Sequence, residues 1–245
     1  MTMRFVQHIM GTPISIALGG TTARREHADD AYAWLRDVDS RFSPFRGDSD
    51  VSRINRGERV SRHPDLDAVQ DACARLWQQT SGYFDAYATG SFDPCGYVKG
   101  WAAQVASDQL AAAGVTDHFV NAGGDVCVRG NAPDGQPWRV GIRHPEEQHR
   151  CAWVLEVSDA AIATSGTYER GPHVIDPFTG RAATALVSVT VVGPDLGVAD
   201  AYATAAVAMG EAALDWLAML DGYESAAIAA DGRAFRSARL PTVPA

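Results

Sequence analysis

AIATSGTYERGPHVIDPFTG, residues 161–180, opens as a strand of small residues, breaks at Ser165-Gly166, and then sets His173, Asp176, Pro177, Thr179 and Gly180 close together. Glycine and proline fix a backbone path that does not repeat. Imidazole, carboxylate and hydroxyl are the groups that proton transfer or phosphate binding needs. The same residues also make an ordinary strand–turn–strand connection, so this stretch has to be read with its neighbours.

Working outward, the order of elements defines a fold class. Strands are predicted on either side of a Met10–Pro13 break, a helix over about Thr22–Ser40 with Thr21 or Thr22 as its cap, and a second helix over about Asp65–Gln79. The segment RFSPFRGDSDVSRINRG between them is polar and aperiodic, a loop or short capped helix. An alanine-rich helix is predicted from about Gly96. HFVNAGGDVCVRG and QPWRVGIRHP then read as two strands joined through Pro133-Asp134-Gly135, a hairpin signal. Strands CAWVLEVSD, AIATSG and SVTVVG follow, then helices over about Ala199–Met209 and Glu211–Leu220, and a last pair of strands around Asp231-Gly232. Strands and helices in this order give an α+β fold, mostly antiparallel or mixed sheet flanked by helices. No linker, repeat or low-complexity stretch divides residues 1–245, which are read as one domain.

Composition narrows the function. The formal charge of −9 argues against a nucleic-acid partner, since phosphate tracking relies on basic stripes. No run is apolar enough to insert in a membrane, and the N-terminus lacks the pattern of a secretory signal; the expected location is the cytoplasm. The four cysteines show no CxxC pairing and read as free thiols. Of 21 basic residues only Lys99 is lysine, and it lies in FDPCGYVKGWA close to Asp93. Lysine and arginine exchange on solvated faces but not at specific charge sites.

Two further stretches carry chemistry. In VADAYATAAVAMG, a helix would put Asp200 and Thr204, four positions apart, on one face. A carboxylate and a hydroxyl suit a hard cation such as Mg²⁺, which keeps waters and uses few protein carboxylates. A helix-dipole Asp with a Thr bonded to its own backbone would look the same. NAGGD, residues 121–125, ends a strand with two glycines that would let backbone amides approach a phosphate, as they also would in a plain turn. Neither a Walker loop nor GxGxxG is present.

Taken in order, MGT, FSPFRGDSDVSRIN, GYFD, DPCGYVKGWA, NAGGD, ATSGTYERGPHVIDPFTG and VADAYATAAVAMG resemble the ApbE family of flavin transferases from Met10 to Met209. The resemblance implies an ApbE-like fold and an FAD:protein FMN transferase. Such an enzyme takes FAD as substrate, uses Mg²⁺ to cleave its pyrophosphate, and moves FMN onto a Thr or Ser hydroxyl of an acceptor protein with release of AMP. Position by position, it implies Asp200 and Thr204 as magnesium ligands with the carbonyl of Gly96. Asp93 and Lys99 match FAD contacts, and Met10, Phe45 and the pair Phe84-Asp85 match flavin or adenine contacts. His173 to Asp176 match a His-Ile-Ile-Asp run in which Ile175 packs on the cofactor, with His173 and Asp176 the candidate catalytic residues and His173 the acceptor of the incoming hydroxyl's proton. Phe45 stands where relatives commonly have Tyr, Ala86-Tyr87 replace the usual Pro-Thr, and the segment from Asp85 to Asp93 is short. The alternatives are an FAD pyrophosphatase giving FMN and AMP, and a flavin-binding protein without turnover.

Overall fold

The computed structural model describes residues 2–147, 149–167, 171 and 173–243. The strands are β1 (Met3–Ile9), β2 (Thr12–Leu18), β3 (His118–Ala122), β4 (Asp125–Arg129), β5 (Trp138–Arg143), β6 (Cys151–Val157), β7 (Ala160–Gly166), β8 (Ile175–Asp176), β9 (Arg181–Ala182), β10 (Leu186–Gly193), β11 (Glu224–Ala229), β12 (Ala234–Arg236) and β13 (Thr242–Val243). The helices are α1 (Arg25–Phe42), α2 (Asp50–Asn55), α3 (Pro64–Gln79), α4 (Cys95–Ala112), α5 (Leu196–Met209) and α6 (Ala213–Ala218).

Eight strands form one antiparallel sheet in the order β1-β2-β3-β4-β7-β10-β11-β12, and β13-β6-β5 form a second sheet. The large sheet is covered on both faces. Val126, Val128, Ile162 and Val192 pack toward Trp138, Val140 and Leu155 of the small sheet. Residues of alternate parity, including Cys127, Ala161, Ala163, Val189 and Val191, pack toward the helices. Strand alternation therefore assigns each side chain to a layer. The α+β reading holds, with every recorded strand pair antiparallel.

Several expected boundaries move for identifiable reasons. The span HFVNAGGDVCVRG is not one strand: it folds back at Gly123-Gly124, both at positive φ, pairing Ala122 with Asp125. The turn at Pro133-Asp134-Gly135 consequently makes no hairpin; it passes the chain from the large sheet (β4) to the small one (β5). Thr22 does not cap α1. Its hydroxyl donates to the carbonyl of Gly114 at 2.7 Å, and the helix starts at Arg25. The helix expected over Glu211–Leu220 shortens to a 3₁₀ turn, Gly210–Ala212, followed by α6. By contrast α3 begins one residue earlier than expected, with Pro64 in its first turn, where the missing N–H needs no partner.

Two helices lie nearest the middle of the sheet, α4 and α5, and they cross at glycine. A Cβ on Gly100 would collide with the carbonyl oxygen of Leu196 and stand 3.0 Å from Cβ of Asp200. A Cβ on Gly197 would stand 2.8 Å from the ring of Tyr97 and 3.1 Å from Cβ of Trp101. Each helix thus removes a side chain where the other passes, and the first turns of both are drawn together. Among the described residues no helix is long and apolar enough to cross a membrane.

Candidate active site

The first turn of α4, the middle of α5, the end of β7, residues 173–175 and the loop before α4 enclose a cleft of about 210 Å³. Phe84, Asp85, Asp93, Gly96, Lys99, Gly123, Ser165, His173, Ile175, Asp200 and Thr204 all line it. Nine of the twelve residues singled out from sequence therefore share one cavity: Phe84, Asp85, Asp93, Gly96, Lys99, His173, Ile175, Asp200 and Thr204.

The floor is built by close approach. Gly96, in the first turn of α4, has Phe84 on one side and Thr204 on the other; a Cβ there would meet the Phe84 ring at 3.2 Å and Oγ1 of Thr204 at 3.3 Å. Thr204 Oγ1 also shares a hydrogen bond of 3.2 Å with Oγ of Ser165, which β7 presents on the face that carries Ala161 and Ala163. Its neighbour Thr164 turns the other way and pairs with Oγ1 of Thr190 at 2.9 Å.

Charge is concentrated behind this floor. Asp200 is 4% exposed, and its Oδ2 accepts from the amide of Gly100 at 3.2 Å. Lys99 forms an ion pair with Oδ2 of Asp125 and stands 3.4 Å from Oδ2 of Asp200. Asp125 is fully buried, and its Oδ1 accepts from the amide of Thr164 at 3.1 Å. Among the described residues, these two buried carboxylates thus face the same ammonium in a poorly solvated place. Amide donors at each carboxylate offset part of the desolvation.

The rim is held by hydrogen bonds from side chains to backbone. Asn55 clamps the loop before α4, donating from Nδ2 to the carbonyl of Phe92 and accepting from its amide, both at 2.9 Å. Asp93 Oδ1 accepts from the amide of Cys95 at 3.0 Å, where α4 begins. Asp85 Oδ1 accepts from the amide of Tyr87 at 2.8 Å. His173 is exposed, and its Nδ1 donates to the carbonyl of Gly171 at 3.0 Å. In the neutral ring this bond leaves Nε2 as the nitrogen with a lone pair.

Three sequence-selected residues lie elsewhere. Phe45 is 87% exposed and does not line the cleft. Met10 occupies the turn between β1 and β2 at φ 55°, packed against the core rather than lining the cavity. Asp176 is spent on its own turn, with Oδ1 accepting from the amide of Phe178 at 2.9 Å and Oδ2 from the hydroxyl of Thr179 at 2.8 Å. Those bonds hold its carboxyl below the usual carboxylate range, the Thr179 hydroxyl contributing most. Asp125 and Ser165, in turn, carry no mark in the sequence. Asp125 reads as the end of a glycine turn, and Ser165 as the break of a strand.

Every donor at the cleft floor is a hard oxygen, and among the described residues no three His, Cys, Asp or Glu side chains gather at one point. One carboxylate with nearby hydroxyls suits a small hard cation that keeps much of its water or borrows oxygens from a bound phosphate, as Mg²⁺ does. The donor chemistry is therefore compatible with that ion.

Fold and cleft together define an α+β protein whose two glycine-crossed helices carry an oxygen-lined anionic pocket at one end of an antiparallel sheet. Residues 10–91 and 87–227 match the model of the ApbE family, and the chain belongs to that family. The FAD:protein FMN transferase of Vibrio cholerae is 39% identical over 123 residues, covering 46% of this chain and 37% of that protein. The FAD:protein FMN transferase of Rhodobacter capsulatus is 41% identical over 128 residues, 49% of this chain and 24% of its own length. That of Salmonella typhimurium is 31% identical over 153 residues, 58% and 44% respectively. The matched segments thus span less than half of each of these relatives. The fold is shared more widely. The flavin transferase ApbE of Vibrio cholerae superposes with a TM-score of 0.85 at 24% identity over 97% of both chains. The ApbE protein of Thermotoga maritima gives 0.86 at 22% identity, again over 97% of both.

Proposed function

We propose that this chain is an FAD:protein FMN transferase that moves the FMN half of FAD onto a Thr or Ser hydroxyl of an acceptor protein and releases AMP. The reading treats residues 1–245 as one cytoplasmic catalytic unit. The observation that carries it is the meeting of Asp200, Thr204, Gly96, Lys99 and His173 at one cleft, with family membership beside it.

In this reaction the acceptor oxygen forms a bond to the FMN phosphorus, the bond from that phosphorus to the AMP oxygen breaks, and the hydroxyl proton leaves. Asp200 and Thr204, with the Gly96 carbonyl, would hold Mg²⁺. Bound there, the ion would supply charge neutralisation at the diphosphate. Lys99 places a positive charge at the same cleft wall for a phosphoryl oxygen. Nε2 of His173 takes the proton from the incoming hydroxyl, because the Nδ1 bond to Gly171 leaves Nε2 as the acceptor. Ile175, Phe84, Asp85 and Asp93 line the walls against which the dinucleotide would lie. Asp176, whose carboxylate is bonded to Phe178 and Thr179, shapes the turn that follows residues 173–175. Met10 and Phe45, outside the cavity, contribute only if a ligand reaches past its rim.

The test is incubation of the purified protein with FAD and Mg²⁺, following AMP by chromatography, and mass spectrometry of co-expressed proteins for FMN added to Thr or Ser. Transfer predicts AMP formed in proportion to flavinylated acceptor. AMP formed equally fast without acceptor would make the protein an FAD pyrophosphatase, and bound FAD with no AMP a flavin-binding protein. His173→Ala should bind FAD but lose most transfer; full transfer in that variant would remove His173 from the chemistry.

A further inference from the structure

Asp125 has no part in the reaction just described, yet it is fully buried behind the cleft floor and it touches the chain's only lysine. It is held from two sides. The turn at Gly123-Gly124 starts β4 so that Asp125 faces the helix layer, on the parity of Cys127 and opposite to Val126. The Thr164 amide of β7 then fixes Oδ1, which leaves Oδ2 for Lys99. On the other side of the ammonium lies Oδ2 of Asp200 at 3.4 Å. Lys99 therefore stands between two carboxylates, one of which belongs to the proposed cation site.

A lysine beside a metal-binding carboxylate is a competitor for it, since ammonium and divalent cation are drawn to the same oxygen. The geometry points to Asp125 as a positioning residue that competes with Asp200 for the Lys99 ammonium and so weakens the lysine's hold on the carboxylate a divalent cation would use. This inference rests on the assignment of Asp200 to the cation site. The side chain of Lys99 is 23% exposed against 1% for Asp125 and 5% for Asp200. The ammonium can thus stay paired with Asp125 while remaining at the cleft wall, where a phosphoryl oxygen would meet it. One residue thereby keeps two positive charges, lysine and metal, apart on a common anionic ligand.

The experiment is titration of the full chain with Mn²⁺ alone, reading free Mn²⁺ by electron paramagnetic resonance, in wild type, Asp125→Asn, Lys99→Met and the double variant. Asparagine retains the oxygen that accepts from Thr164 and removes only the charge that holds Lys99. Asp125→Asn should weaken Mn²⁺ binding by roughly 10- to 100-fold, the range for changing the partner of a ligand group. Lys99→Met should bind Mn²⁺ at least as tightly as wild type. In the Lys99→Met background, Asp125→Asn should change affinity by no more than about twofold, the limit expected when the coupling runs through the missing lysine. Equal loss in both backgrounds would mean that Asp125 acts by its charge alone and would overturn the proposal. So would weaker binding in Lys99→Met, unchanged affinity in Asp125→Asn, or no Mn²⁺ binding by wild type. Failure of flavin transfer appears separately, as absence of AMP from FAD with the Mn²⁺ pattern intact.

Discussion

Replacing Gly100 with alanine sets two effects against each other, and the crossing of α4 and α5 decides between them. In an isolated helix the change would stabilise by about 1 kcal/mol, because glycine is a poor helix former. Here the new methyl would collide with the Leu196 carbonyl oxygen, stand 2.9 Å from its carbon and 3.0 Å from Cβ of Asp200. A backbone carbonyl cannot rotate aside, so α5 has to move, and overpacking of this kind costs about 3 kcal/mol at the upper end of its range. The net loss is about 2 kcal/mol, which for a chain of this size lowers the melting temperature by roughly 4–8 °C. The functional loss should be larger than the stability loss. Separating the helices by ~1 Å moves Asp200 and Thr204 away from Gly96, and a misplacement of that size is enough for a loss of about 100-fold in rate. Differential scanning fluorimetry gives the first quantity and AMP release from FAD, with acceptor and Mg²⁺, the second. A Gly100→Ala protein that melts at or above the wild-type temperature would show that helix propensity prevails, and that the close approach of the two helices does not set the site.

Other consequences are as direct. Asn55→Ala removes both bonds to Phe92; the half-buried clamp should cost about 1–3 kcal/mol, and amide hydrogen exchange in residues 86–93 should speed up while α3 stays protected. Asp176→Asn should keep the fold but loosen the Phe178 turn, lowering transfer several-fold through FAD affinity; unchanged affinity would separate that turn from the cleft. Burial holds the His118 imidazole below its usual value, with Nδ1 donating to Val115 and Nε2 accepting from Ser107, both at 2.7 Å. Since the unfolded chain takes up this proton first, stability is full above the unfolded value of about 6.5 and falls as pH drops through it toward the folded one. The urea midpoint should fall between pH 7 and pH 5, and less steeply in His118→Phe.

The sequence showed some of this directly and hid the rest for physical reasons. α3 carries a regular apolar stripe, Leu66, Val69, Cys73 and Leu76, and its limits were legible. α5 is rich in small and apolar residues, eight of its fourteen being alanine or valine, and is buried around most of its surface, so periodicity marks neither its start at Leu196 nor which face Asp200 takes. The β3–β4 fold-back was hidden because paired glycines look alike in a turn and in a phosphate loop; Gly123 does line the cleft, but as the corner of a hairpin. Lys99 stands out in the sequence by its rarity. Asp125 could not be found that way, since only the pairing of β4 with β7 brings its carboxylate to α4. Phe45 is marked by its place in a motif, and place in a motif does not reveal exposure.

The alternation along β7 has one more effect. Ser165 reaches Thr204 because it has the parity of Ala161 and Ala163, while Thr164 serves the opposite side. Inserting one amino acid ahead of Thr164 would leave the net charge unchanged, yet point a methyl-bearing threonine at the helices and strand the serine behind the sheet. Length variation among kindred proteins should accordingly gather in the loops and spare this strand.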